Sequence, residues 1–188
     1  HRYDTADYFH VDPMLGTDED FEELCKRASD MGISIMLDGV FNHVGADSHY
    51  FNACGNYAEL PASNKKATTH SWFTFNDSGA YDCWWGVKDL PAIRKHCPEF
   101  RELICGENGV IRTWLRRGAR AWRLDVVDEL TDDFVEDIKS AALAEKPDSV
   151  VIGEVWEDAS HKRAYGNLRK YFQGAELDAT MNLCLIHI

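Results

Sequence analysis

The sequence predicts an α/β fold in which parallel strands alternate with covering helices. Three apolar runs each end in an acidic residue, and helix patterns lie between them. The runs are Ile33-Ser34-Ile35-Met36-Leu37-Asp38, Ala121-Trp122-Arg123-Leu124-Asp125 and Ser149-Val150-Val151-Ile152-Gly153-Glu154. Strand, helix and strand with reactive groups at each C-terminal end is the layout of an α/β barrel. The 188 residues suffice to bury a core and ordinarily make one domain.

In chain order, residues 1–9 are dense in polar and aromatic groups and read as a loop leaving a strand. Thr17 suits a helix N-cap, Asp18, Glu19 and Asp20 suit the first turn, and Phe21, Leu24, Cys25 and Ala28 form an apolar stripe that Gly32 ends. The strand 33–38 is expected to be buried, and beyond it stand Gly39-Val40-Phe41-Asn42-His43. Asp38 and His43 at that spacing suit metal ligands, sugar-hydroxyl binders or a hydrogen-bonded loop clamp, the clamp being the first reading.

Residues 44–97 are too long for an ordinary connection. They carry Tyr50, Phe51, Trp72, Phe73, Phe75, Tyr81, Trp84 and Trp85, which predicts a small excursion whose rings mostly form its own core. Trp84 and Trp85, beside Gly86, are the rings expected to face a cleft, since aromatic faces suit the apolar faces of sugars. Residues 98–118 read as a helix interrupted around Gly106 and Gly109.

The central stretch is 121–129. On a strand, side chains alternate faces, so Arg123 and Asp125 share one side while Trp122, Leu124 and Val126 share the other. Charged groups inside a fold are costly unless paired, so a structural Arg–Asp pair and a reactive pair are equally admissible at this point. A second acid shifts the balance. Between Asp125 and Glu154 lies a helix pattern with Thr131 at the cap, Phe134, Ile138 and Ala142 on one face and Pro147 beyond, spanning one βαβ unit of ~30 residues. Neighbouring strands lie ~4.8 Å apart. Acids at two adjacent strand ends would therefore stand near the ~5–5.5 Å used by retaining glycosidases. Beyond Glu154, a helix is predicted over roughly 161–172 and a further strand from Leu177.

Acidic residues outnumber basic ones, 32 against 20, for a net charge of −12, which argues against nucleic acid or anionic membrane as a partner. No apolar run is long enough for a bilayer, and the chain opens on polar sequence without a signal-like stretch, so a cytoplasmic protein is expected. The six cysteines, Cys184 among them, lack zinc spacing and read as reduced thiols.

With Asp38…Asn42-His43, Arg123-Leu124-Asp125 and Gly153-Glu154-Val155-Trp156 in that order, the chain resembles the α-amylase superfamily of glycoside hydrolases. The opening His1-Arg2-Tyr3-Asp4 looks like a further motif of that family. Asp125-Val126-Val127-Asp128-Glu129 and Trp156 look most similar to its neopullulanase and cyclomaltodextrinase branch. The resemblance implies a partial (β/α)8 TIM barrel, about strands 2 to 6, formed by residues 1–43 and 98–188. Residues 44–97 would be a small insertion domain at the barrel mouth, after the third strand.

The resemblance further implies Asp125 as nucleophile and Glu154 as acid and then base. Arg123 would hold Asp125 ionised, while a less polar setting would keep Glu154 protonated. Tyr3 would stack beneath the reacting sugar, Asp38 and His43 would line its subsite, and Trp156, Glu129 and Trp85 would contact substrate. The implied substrates are α-glucans, maltooligosaccharides or cyclodextrins with α-1,4 and perhaps α-1,6 bonds. The parent protein is a candidate dimer.

The family's later His-Asp motif has no counterpart before His187-Ile188, and the run 183–188 departs from family sequence. The chain is therefore expected to be an inactive central fragment. Glu129 stands where calcium-dependent members carry histidine, so no metal or other cofactor is carried over. Two other readings share the resemblance. One is a transglycosylase or isomerase on the same machinery. The other is a non-catalytic carbohydrate-binding or interaction relative, against which the acid pair speaks.

Overall fold

The computed structural model describes residues 2–182. His1 of the opening motif, Cys184 and the closing run with His187 lie outside the described residues. The chain divides into two compact units, His1–Tyr8 with Val40–Arg101, and Phe9–Gly39 with Glu102–Ile188.

The second unit is α/β. Its four-stranded sheet has the order β1 (Met36–Gly39), β2 (Ala121–Leu124), β3 (Val150–Val155) and β6 (Ala179–Asn182), with every neighbouring pair parallel. β2 and β3 are thus adjacent, as the acid-pair reading requires. Helix α1 (Asp18–Asp30) starts at Thr17, whose side chain accepts the Asp20 amide while Asp20 returns a bond to the cap amide. That closed box satisfies two otherwise orphaned N–H groups, which is why the helix starts there. The interrupted helical segment is α2 (Pro98–Cys105) and α3 (Val110–Arg116).

Helix α4 (Asp132–Glu145) packs on α3 and on β3 and buries Phe134, Val135, Ile138 and Ala142. With Trp122, Leu124 and Val151, each at most 2 % exposed, these side chains form the core that fixes β2 and β3. Burying an aliphatic or aromatic side chain of this size stabilises by about 1.5–3 kcal/mol. Gly153 has a packing reason. A Cβ there would stand 2.7 Å from Val127 and from Leu177, so only glycine lets β3 pass between them.

Three expectations fail here. The strand 33–38 is neither whole nor buried: it begins at Met36, and Ile33 and Met36 are 53 % and 40 % exposed. β1 ends the sheet order among the described residues, so it lacks a neighbour on one side. The central strand stops at Leu124, and Val126 turns left-handed instead of continuing the apolar face. The helix expected over 161–172 is a short hairpin, β4 (Arg163–Ala164) and β5 (Asn167–Leu168). Tyr165 and Gly166 both have positive φ, the backbone of a tight hairpin turn that a helix excludes.

The first unit is irregular and aromatic. Phe51 packs edge-on against Phe73 at 4.8 Å and beside Tyr81 at 4.6 Å, and Trp72 meets Phe100 at 5.4 Å. Tyr8 donates to the Val40 carbonyl at 2.6 Å and packs on Phe41, tying the opening segment to the rest of the unit. Most of the excursion's rings are its own core. Trp85 is 70 % exposed, and Trp84 stacks on His43. The described cysteines are all free thiols.

Candidate active site

Parallel register sets Asp38 opposite Arg123 and Leu124 opposite Gly153. The C-terminal ends of β1, β2 and β3 therefore carry Asp38, Asp125 and Glu154 side by side. Strand alternation places Arg123 and Asp125 on one face. The guanidinium then spans all three acids. Arg123 Nη1 lies 2.6 Å from Asp38 Oδ1 and 2.8 Å from Asp125 Oδ1, and Nη2 lies 3.0 Å from Glu154 Oε2. A planar fork with fixed donors suits such multiple contacts in a way that an ammonium would not.

The residue after Asp125 completes the geometry. Val126 has φ near 40°, a left-handed backbone that is rare for a β-branched side chain. Strain of this kind costs about 1–3 kcal/mol and persists only where surroundings over-determine it. The turn aims the Val126 amide at Glu154, donating to Oε2 at 2.9 Å. Glu154 Oε2 therefore meets both a guanidinium and an amide. The less polar setting expected for Glu154 is not what surrounds it.

Asp125 also departs from expectation. Burial pushes its carboxyl up to about 6, against the downward pull of Arg123, with the negative charges of Asp38 and Glu154 adding to the rise. One guanidinium shared among three acids is too little to offset the desolvation of a side chain 8 % exposed. Arg123 itself is opposed by burial, but its bonds and charges outweigh that and raise its pKa above the ordinary arginine value. It stays charged at any working pH.

The remaining sequence-predicted residues fall in two places. In the second unit, Trp156 follows β3 and is 41 % exposed. Glu129 accepts a short hydrogen bond from Tyr165 and borders a cavity of about 310 Å³ with Thr131, Asp132, Asn167 and Arg169. In the first unit, His43 is 1 % exposed, accepts from Asn42 Nδ2 at 3.0 Å and donates Nε2–H to the Tyr3 carbonyl at 3.1 Å. That is the loop clamp, made with Tyr3. Asp38 goes instead to Arg123. No group of three or more potential metal ligands occurs among the described residues.

Sequence reasoning missed the Val126 amide and the residues that hold its turn. Asp128 accepts from the Tyr171 hydroxyl at 2.5 Å and pairs with Lys162 at 3.1 Å, and its carbonyl accepts from Arg169 Nη1 at 2.9 Å. The one signal available was the cluster Lys162, Arg163, Arg169 and Lys170 in an otherwise acidic chain.

Two carboxyls, those of Asp125 and Glu154, thus stand on adjacent parallel strand ends, bridged by one guanidinium. The whole chain, residues 1–188, matches the family model of the α-amylase catalytic domain. It is 40 % identical over 180 residues to an amylopullulanase of Thermoanaerobacterium saccharolyticum, covering 85 % of this chain and 14 % of that protein. It is 31 % identical over 190 residues to a cyclomaltodextrinase of Geobacillus thermopakistaniensis, covering 97 % and 29 %. Among solved structures, the ligand-free cyclic α-maltosyl-(1→6)-maltose hydrolase of Arthrobacter globiformis aligns with a TM-score of 0.80 at 29 % identity, covering 97 % of this chain and 39 % of that one. The chain belongs to the α-amylase family. It spans well under half the length of each of these relatives.

Proposed function

We propose that the protein carrying these residues is a retaining glycoside hydrolase of α-glucans, cleaving α-1,4 bonds in maltooligosaccharides or cyclodextrins. Asp125 attacks the anomeric carbon. Glu154 protonates the leaving oxygen, then deprotonates the water that releases the sugar. Arg123 orients both acids, and Asp38 accompanies them at the third strand end. Glu129 and Trp156 line the substrate path in the second unit, and Tyr3 and Trp85 are substrate contacts carried by the first, where His43 holds the Tyr3 carbonyl. The observation that carries this reading is the single guanidinium reaching Asp125 at 2.8 Å and Glu154 at 3.0 Å.

In this reading, residues 1–43 and 98–188 are about strands 2 to 6 of a (β/α)8 barrel, and 44–97 is an insertion after the third strand. The parallel order β1-β2-β3-β6 supports the barrel part. No helix among the described residues is long and apolar enough to cross a membrane. The free thiols Cys25, Cys54, Cys83, Cys97 and Cys105 support a reducing compartment.

The test uses the full-length protein with Asp125→Asn and Glu154→Gln, maltooligosaccharide turnover, and NMR of the first-formed anomer. Each variant is expected to lose turnover on the order of 10³-fold or more while keeping its thermal midpoint within a few degrees. The first product should keep the α configuration. Turnover should fall as pH drops through about 6, because protonated Asp125 is no nucleophile. The 188 residues assayed alone should turn over negligibly, since an open parallel sheet leaves its edges exposed. Near-normal turnover by Asp125→Asn, or an inverted first product, would sink the assignment.

A further inference from the structure

Glu154 depends on a backbone amide that is itself held in an unfavourable conformation, and what holds it lies outside the residues assigned to catalysis. The 3-10 turn Val127–Glu129 follows directly on the left-handed Val126. Its middle residue, Asp128, is fixed at three atoms by the segment that leaves β3. Tyr171 Oη donates to Oδ1, Lys162 Nζ pairs with Oδ2 at 3.1 Å, and Arg169 Nη1 donates to the main-chain carbonyl at 2.9 Å.

These anchors are themselves immobilised. Tyr171 is 1 % exposed, and the Arg169 guanidinium lies 4.8 Å over its ring while Nε bonds Asp132 at 2.6 Å. Burial first, and then the bond to Asp128, keep Tyr171 a neutral hydroxyl and hence a donor. A turn gripped at both side-chain oxygens and the carbonyl has little freedom to relax, which is the condition under which a strained residue next to it survives. Each bond spans β2's exit and β3's exit, so the clasp fixes the Val126 amide relative to the strand that carries Glu154.

We infer that Asp128 is a positioning residue for the acid: through the Val126 amide it holds the Glu154 carboxyl by Oε2, so that Oε1 carries the proton to the leaving oxygen. This rests on the hydrolase reading above, with Glu154 as acid. Releasing the clasp lets Val126 relax toward an ordinary backbone conformation, and the 2.9 Å amide bond to Glu154 is lost. The nucleophile's own contact with Arg123 does not pass through Asp128. The damage therefore falls on proton donation more than on attack.

Leaving-group dependence separates these effects. In the full-length protein, kcat/KM, which reports the bond-breaking step, is measured for maltotriose and for an aryl α-maltoside with an acidic phenol, which needs little protonation. Asp128→Ala is expected to lower kcat/KM on maltotriose on the order of 10- to 100-fold, and on the aryl substrate several-fold at most. Tyr171→Phe, which removes one bond and keeps the ring, should shift the same ratio in the same direction by a smaller factor. It also carries the test should Asp128→Ala fold poorly. Equal losses on both substrates in the folded variant, or no loss on either, overturn the inference. Wild-type protein that cleaves neither substrate refutes the hydrolase reading instead, so the two failures are distinguishable.

Discussion

Arg123 and Arg169 are both largely enclosed, at 13 % and 4 % side-chain exposure, and both face carboxylates within the same unit. Their surroundings differ. Arg123 has acids from three strand ends on its two terminal nitrogens, more negative charge than one cation balances, and one of them, Asp38, is 42 % exposed. Arg169 bonds Asp132 and a carbonyl, and its Nη2 is buried with no hydrogen-bond partner. Near it Glu176 is fully buried with neither carboxyl oxygen bonded, and burial, with Asp132 adding, pushes its pKa up to about 7. The first arginine gathers three carboxylates at strand ends, one of them open to solvent. The second closes an interior and leaves some of its polar atoms unsatisfied, which stable packing normally avoids.

The sharpest way to break this contrast is to remove each cation. Arg123→Ala should cost turnover on the order of 10²–10⁴-fold, because both acids lose their common anchor. Steady-state kinetics on maltooligosaccharides would check this, and an active variant would mean that the guanidinium is structural. Arg169→Ala should cost stability first, by about 1–3 kcal/mol in denaturant unfolding, since Asp132 and the Asp128 carbonyl lose their donor, with a smaller loss of turnover through the Asp128 clasp.

The smallest effect is expected at the buried acid beside Arg169. Glu176 has a folded value near 7, above the ordinary value of a glutamate, so its favourable contribution is complete below about pH 4 and is lost as pH rises through about 7. Glu176→Gln removes that dependence. The variant should match wild type near pH 4 and exceed it at pH 8 by about 1–3 kcal/mol. Thermal melts across that range would show it. A constant difference at every pH would mean that the carboxyl never gains a charge inside the fold.

Much of the site was legible before any coordinates. An acid ending an apolar run places itself at a strand's C-terminal end, so Asp38, Asp125 and Glu154 were identifiable, and one βαβ spacing made two of them neighbours. The cap at Thr17 and the buried face of α4 were legible for the same reason, since both depend on residues a few positions apart. Illegible were the sign of the Asp125 shift and the turn at Val126. Arg123 beside Asp125 argued for a lowered pKa, and only the depth of burial and the crowding of three acids on one cation reversed it.

Local pattern was enough to set which acidic side chains stand at which strand ends, because alternation and capping are short-range effects of backbone geometry. Tertiary structure alone decided that one guanidinium serves three acids and that the segment after β3 folds back as a hairpin gripping Asp128. Those outcomes join residues tens of positions apart and depend on how much water each group loses, a quantity with no signature in local pattern.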